Sequence, residues 1–210
     1  MKIILLGDSF TQGYLVEPGE CWADRLEYGD LLPGWEVDNQ GMNGDSTMGM
    51  DLRLREQILG SDGSPYGLPD EEPPERILIT GGINDLIYGG SKEDVEHYYA
   101  SMIMTCREQG VQPILGLEPA IDPNLAGVFW MAGIDYYRVA EEQAVMTEDL
   151  RSMAKENDLY VVDFYKAVEA LKRKRPDERI YQDGLHVTPE VHFYLAEFAA
   201  AELTAIPLPY

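Results

Sequence analysis

Five short apolar runs constrain this chain more than any other feature: "KIILL" (2–6), "WEVDN" (35–39), "RILIT" (76–80), "PILGL" (113–117) and "LYVVDF" (159–164). Most are continuous rather than alternating. A strand with apolar side chains at successive positions must be covered on both faces, which predicts a parallel sheet between two layers of helices. Amphipathic patterns between the runs predict helices at 47–59, 92–109, 135–157 and 189–204. Ser91, followed three residues later by Asp94, predicts a capping box at the second helix, and "EQG" at 108–110 gives it a glycine stop. Strand and helix alternate along the whole chain with no linker or internal repeat. The expectation is one α/β domain over 1–210, three-layered (α/β/α), on a mostly parallel five-stranded sheet. Two stretches read as irregular. Residues 60–75 are rich in Gly, Pro and acid. Residues 118–134 carry Val128, Phe129, Trp130 and Met131, apolar where a surface loop should be polar.

Charge narrows the partners. The 38 acidic residues against 16 basic give a formal net charge of -22, a field that repels nucleic acid and anionic membrane surfaces. No stretch approaches the length of a membrane span, and the first apolar run is too short for a signal-peptide core, so the expectation is a cytoplasmic protein with no membrane insertion. Cys21 and Cys106 stand far apart without metal-ligand spacing, which argues against a disulfide framework or structural zinc. No HxH or HExxH pattern and no glycine-rich phosphate loop is present, so neither a metal nor a cofactor is expected.

In open α/β sheets ligands bind beyond the carboxyl ends of the strands. The first strand ends in Gly7-Asp8-Ser9-Phe10, which reads either as a helix-capping turn or as a turn that displays a serine nucleophile. A serine needs a base, usually a histidine oriented by a carboxylate. Of three histidines, His97 and His192 fall within predicted helices. His186 stands in a loop three residues after Asp183, with Gly184 between them to allow a tight turn. Oxyanion donors are available at other strand ends: the Gly44 backbone N–H in "NGDST" and the Asn84 side-chain amide in "GGIND". Taken singly, each also reads as an ordinary turn residue.

Together, G-D-S near the start, G-D-S-T after the second strand, G-x-N-D after the third and D-x-x-H-x-x-P near the end resemble the SGNH (GDSL) hydrolase family over almost the whole chain. The resemblance implies a flavodoxin-like fold and ester hydrolysis through an acyl-enzyme. It makes Ser9 the nucleophile, His186 the base and Asp183 its orienting acid, with Ser9, Gly44 and Asn84 forming the oxyanion hole. Asp8 and Asp85 then read as supports of their turns. The extra glycine in Gly81-Gly82-Ile83-Asn84 departs from the family pattern and predicts a more pliable turn. The family includes arylesterases, carbohydrate acetylesterases, lysophospholipases and thioesterases, so the acyl group stays open. The acidic surface favours a soluble short-chain or acetylated-carbohydrate ester over a membrane lipid. Val128 to Met131 would either roof the acyl pocket or pack on a second copy in a homo-oligomer. The alternatives are a lysophospholipase or thioesterase for longer chains and, from another class, a non-catalytic flavodoxin-like binding module.

Overall fold

The computed structural model describes residues 1–60 and 73–207. Most of the predicted 60–75 loop therefore lies outside the described residues. Five strands, β1 (Lys2–Gly7), β2 (Glu36–Gly41), β3 (Arg76–Thr80), β4 (Gln112–Leu117) and β5 (Tyr160–Asp163), form one sheet in the order β2-β1-β3-β4-β5, with every pair parallel. This is the flavodoxin-like order. Its switch point falls between β1 and β3, where consecutive connections leave in opposite directions and open a crevice at the carboxyl edge.

The continuous apolar strands do what their composition requires. Ile3 and Leu5 of β1 face a core shared with α2 (Trp22–Tyr28), α8 (Phe164–Lys174) and α9 (Pro189–Ala205). Ile4 and Leu6 face the opposite core, built with α3 (Thr47–Arg53), α5 (Lys92–Glu108) and α7 (Tyr136–Glu156). All four side chains are fully buried. Three short helices sit beyond strand ends or between layers: α1 (Ser9–Gln12), α4 (Ile83–Ile87) and α6 (Pro123–Phe129). No helix among the described residues is long and apolar enough to cross a membrane.

The local signals hold where they were strong. Ser91 and Asp94 exchange both hydrogen bonds of a capping box at α5. The 47–59 helix is α-helical only to Arg53, then widens into a π turn over Leu54–Ile58. The stretch 118–134 is not irregular throughout, because Asp122 caps α6 and Pro123 occupies its first turn. The Gly81-Gly82 turn is pinned rather than pliable. The buried Tyr99 hydroxyl accepts from the Gly81 N–H (3.0 Å) and donates to the Gly81 carbonyl (3.1 Å).

His192 is buried on α9, stacked on Phe10, and its Nδ1 accepts the Trp22 N–H at 3.3 Å. Burial, with a smaller contribution from His186, pushes its pKa down to about 3. The folded ring stays neutral where the unfolded one takes up a proton, so stability is lost as pH falls from about 6.5 towards that value, at about 1.4 kcal/mol per pH unit. Between pH 6.5 and 5 the native protein should therefore lose about 1–2 kcal/mol more than His192→Gln. Urea denaturation at the two pH values measures this, and equal losses would remove His192 as the source.

Candidate active site

The chain turns directly from β1 into α1. Asp8 Oδ1 accepts the Phe10 N–H at 2.9 Å, so the capping reading of this turn is correct for the aspartate. The neighbouring serine is left for other work. Ser9 Oγ lies 2.9 Å from His186 Nε2, and His186 Nδ1 lies 2.8 Å from Asp183 Oδ2. The other Asp183 oxygen accepts the backbone N–H groups of Leu185 (2.9 Å) and His186 (2.8 Å). Burial opposes ionisation of Asp183, but the His186 ring and these backbone donors outweigh it and hold the carboxyl below its ordinary range. An ionised Asp183 fixes the proton on Nδ1 and leaves Nε2 free to accept from Ser9.

The His186 loop is itself tightly docked. Asp122 donates its N–H to the Gly184 carbonyl at 2.8 Å, which ties the loop to the start of α6. Gly184 adopts φ +95°, and a Cβ there would lie 2.2 Å from Ala126 N and 2.7 Å from Asp122 O. The rings of Tyr14 and Trp130 flank His186, with centroids 4.7 and 5.6 Å away.

Asn84, at the start of α4, donates from Nδ2 to the Asp45 carbonyl (2.9 Å) and to Asp8 Oδ2 (3.1 Å). Asp45 is held in turn by Arg53, whose Nε and Nη2 lie 2.9 and 2.8 Å from Oδ2. Arg53 also donates to the Gln40 and Gly7 carbonyls, clamping the turn between β2 and α3 onto the ends of β1 and β2. Gly44 lies in that turn. Asp85 accepts from both the N–H (3.0 Å) and the hydroxyl (2.8 Å) of Thr47, so it ties α4 to α3. It supports a turn, as its position in the sequence suggested.

A cavity of about 160 Å³ opens beside Ser9, His186 and Asn84. Phe10, Ile83, Ile121 and Leu185 make it largely apolar, with Tyr14, Asn43, Glu118, Pro119 and Trp130 completing the wall. The structure thus brings together Ser9, Asp183, His186, Asn84 and Trp130. Gly44 is one residue removed from the wall, which Asn43 supplies. Val128, Phe129 and Met131 do not line the cavity and are exposed to solvent. The helical turn of α6 points Phe129 to a second hollow lined also by Lys172, Arg179 and Tyr181. His97 is exposed on α5. Sequence reasoning missed Tyr14 and Glu118. Glu118 had a signal, since it directly follows β4 and the strand-end rule applies there too.

The sequence and the fold both match known proteins. A sequence model of the GDSL-like Lipase/Acylhydrolase family matches residues 5–192. An arylesterase of Vibrio mimicus is 27% identical over 205 residues, covering 96% of this chain and 88% of that protein. Two solved structures share the fold. One is a member of the lipolytic protein G-D-S-L family from Veillonella parvula (22% identity, TM-score 0.78, 98% of this chain and 100% of that one). The other is an acetyl xylan esterase, AlAXEase (17% identity, TM-score 0.69, again 98% and 100%). The chain belongs to the GDSL-like lipase/acylhydrolase family and is an ester-hydrolysing serine hydrolase.

The Gly184 geometry yields a direct test. Gly184→Ala forces a side chain into a left-handed backbone position and against the α6 main chain. It should cost about 1–3 kcal/mol of stability. An unchanged urea midpoint would mean that the loop is not docked as described.

Proposed function

We propose that the chain is a serine esterase for short-chain acyl esters, acetylated carbohydrates among them, and that it works through an acyl-enzyme on Ser9. One observation carries the reading: the unbroken relay from Ser9 Oγ through the two nitrogens of His186 to Asp183, at 2.9 and 2.8 Å. A binding module has no use for a histidine so held. In the first step Ser9 Oγ attacks the ester carbonyl carbon while His186 Nε2 takes its proton. The alcohol then leaves with that proton, and a water deprotonated by His186 releases the acid and restores Ser9. Asp183 keeps the imidazole in the accepting tautomer and stabilises the imidazolium. The Ser9 and Gly44 N–H groups and the Asn84 amide are the oxyanion donors in this reading. Such preorganised donors commonly contribute the largest share of rate enhancement. The reading takes residues 1–210 as one domain, since both helical layers rest on the same sheet.

The cavity favours small acyl groups. A cavity of about 150 Å³ holds a benzene ring, so about 160 Å³ accepts a chain of only a few carbons. A lysophospholipase or a long-chain thioesterase would need a longer channel. The exposed Val128, Phe129 and Met131 lie outside that pocket and are left for contact with a second copy or with the alcohol side of a substrate.

Ser9→Ala should abolish p-nitrophenyl acetate hydrolysis and labelling by a fluorophosphonate probe while leaving the fold intact. Asp183→Asn should lower kcat far more than KM, since it disturbs orientation and transition-state charge. Persistent labelling of the Ser9→Ala protein, at Ser46 for instance, would sink the assignment.

Chain length is tested separately. The native enzyme should prefer acetyl to octanoyl p-nitrophenyl esters in kcat/KM. Trp130→Ala should shift that ratio towards octanoyl by about tenfold, the scale of one to two methylenes in a pocket. Faster turnover of octanoyl than acetyl by the native enzyme would overturn the short-chain proposal. A changed sedimentation coefficient with an unchanged ratio would place Trp130 at an interface instead.

A further inference from the structure

Glu118 has no part in the mechanism above, yet its carboxyl is buried in the cavity wall. It follows β4 directly, and its Oε2 accepts the Ile83 N–H at 3.2 Å. Its other neighbour is the carboxyl of Asp8, which is fully buried and within hydrogen-bond reach. Two carboxyl groups can share a hydrogen bond only if one of them keeps a proton. Asp8 already accepts from Phe10 N–H and from Asn84 Nδ2, so its oxygens act as acceptors. The remaining donor must be Glu118.

The surroundings offer no other means of neutralising a second charge. Among the described residues, no lysine or arginine is ion-paired with either carboxyl. Arg53 is committed to Asp45 and to backbone carbonyls. Asp45, Asp85, Tyr99 and His186 are ionisable groups that face the pair. Asp45 and Asp85 add negative charge, and the Tyr99 hydroxyl is engaged with Gly81. His186 lies across Ser9, with its two ring nitrogens engaged by Ser9 and Asp183. Burial raises the pKa of both acids, Asp8 to about 6 and Glu118 well above its ordinary range.

We propose that Glu118 is a positioning residue of this esterase site, kept protonated so that its O–H donates to Asp8 and takes up part of the charge that Asp8 would otherwise offer to the Asn84 amide. The proposal rests on the Ser9 esterase reading. It gives the pair two effects. The wall beside the developing oxyanion carries one negative charge rather than two. Both Nδ2 hydrogens of Asn84 are already taken, by Asp45 and Asp8, so the amide reaches an oxyanion only by releasing one of them; Asp8, with its charge spread over three donors, is the partner that yields more readily than an unshared carboxylate would.

The variants Glu118→Gln and Glu118→Ala separate this role from simple packing. A glutamine can still donate to Asp8 and accept from Ile83, without an ionisable proton. Glu118→Gln should keep kcat for p-nitrophenyl acetate within about threefold of native. Glu118→Ala should lose about tenfold to a hundredfold, the scale of a misplaced catalytic group, with KM changed much less. Infrared spectra at pH 7 add a readout independent of turnover. The native protein should show a protonated-carboxyl stretch that Glu118→Gln lacks. Absence of that band from the native spectrum, an alanine variant as active as native, or a glutamine variant as impaired as the alanine would each overturn the proposal. Failure of the native protein to react with a fluorophosphonate would instead count against the Ser9 reading, while the infrared band would still report on the pair.

Discussion

The first turn of α1 lies directly on the carboxyl ends of β1 and β2, and glycine alone permits so close an approach. Gly7 and Gly41 are partners in the β1–β2 register. A Cβ on Gly7 would come within 2.1 Å of Thr11 Oγ1 and 2.9 Å of the Thr80 carbonyl, and one on Gly41 within 2.2 Å of Gln12 N. Backbone atoms cannot yield as a flexible side chain would. The contact therefore fixes where α1 starts, and with it the position of Ser9 above the switch point of the sheet. His186 meets Ser9 from the far end of the chain only because that position is fixed. The reactive geometry thus depends on two residues that have no side chain.

The same edge concentrates negative charge. Asp8, Asp45, Asp85 and Asp183 all lie near it, in a protein whose formal net charge is already -22. Each is accommodated locally. Arg53 neutralises Asp45, Thr47 donates twice to Asp85, and Asp183 receives the His186 ring with two backbone N–H groups. Strand-to-helix turns supply such donors because their first N–H groups have no partner within the helix. Carboxylates there act as braces, and the serine is held by a frame of ionic and backbone hydrogen bonds rather than by apolar packing.

Much of this was legible in the sequence. Continuous apolar runs announced a parallel sheet, and the long helices α5, α7 and α9 announced themselves by periodicity and caps. The meeting of Ser9, Asp183, His186 and Asn84 at one edge of the sheet was legible because each stands in a short motif at a turn that follows a strand or precedes a helix. What was missed has physical reasons. In α8, Phe164, Ala167, Val168 and Leu171 bury one face at helical spacing. The run "LYVVDF" obscured its start, because Asp163 both ends β5 and caps the helix. The short helices α1, α4 and α6 have too few turns to show a period. Tyr14 reaches the cavity only by packing against His186 from a distant part of the chain. The apolar cluster 128–131 was read as one unit, but a helical turn ending at Phe129 sends its members in different directions.

That turn couples two properties that enzymes often keep apart. The α6 segment leads into Trp130 in the cavity wall, and its first turn receives the Gly184 loop that carries Asp183 and His186. The Tyr181 hydroxyl, from the strand-like bridge beside that loop, donates to the Ala120 carbonyl just ahead of α6. The cavity wall and the His186 loop are thus mounted on one braced assembly. A substitution that moves α6 to enlarge the cavity also moves the imidazole relative to Ser9, where a shift of about 1 Å can cost a hundredfold in rate. On the esterase reading, the cavity is therefore reshaped with least penalty through side chains that face it without bearing on Gly184 or His186. Ile121 meets that condition better than Trp130, whose ring flanks His186, or Ala126, whose backbone lies against Gly184.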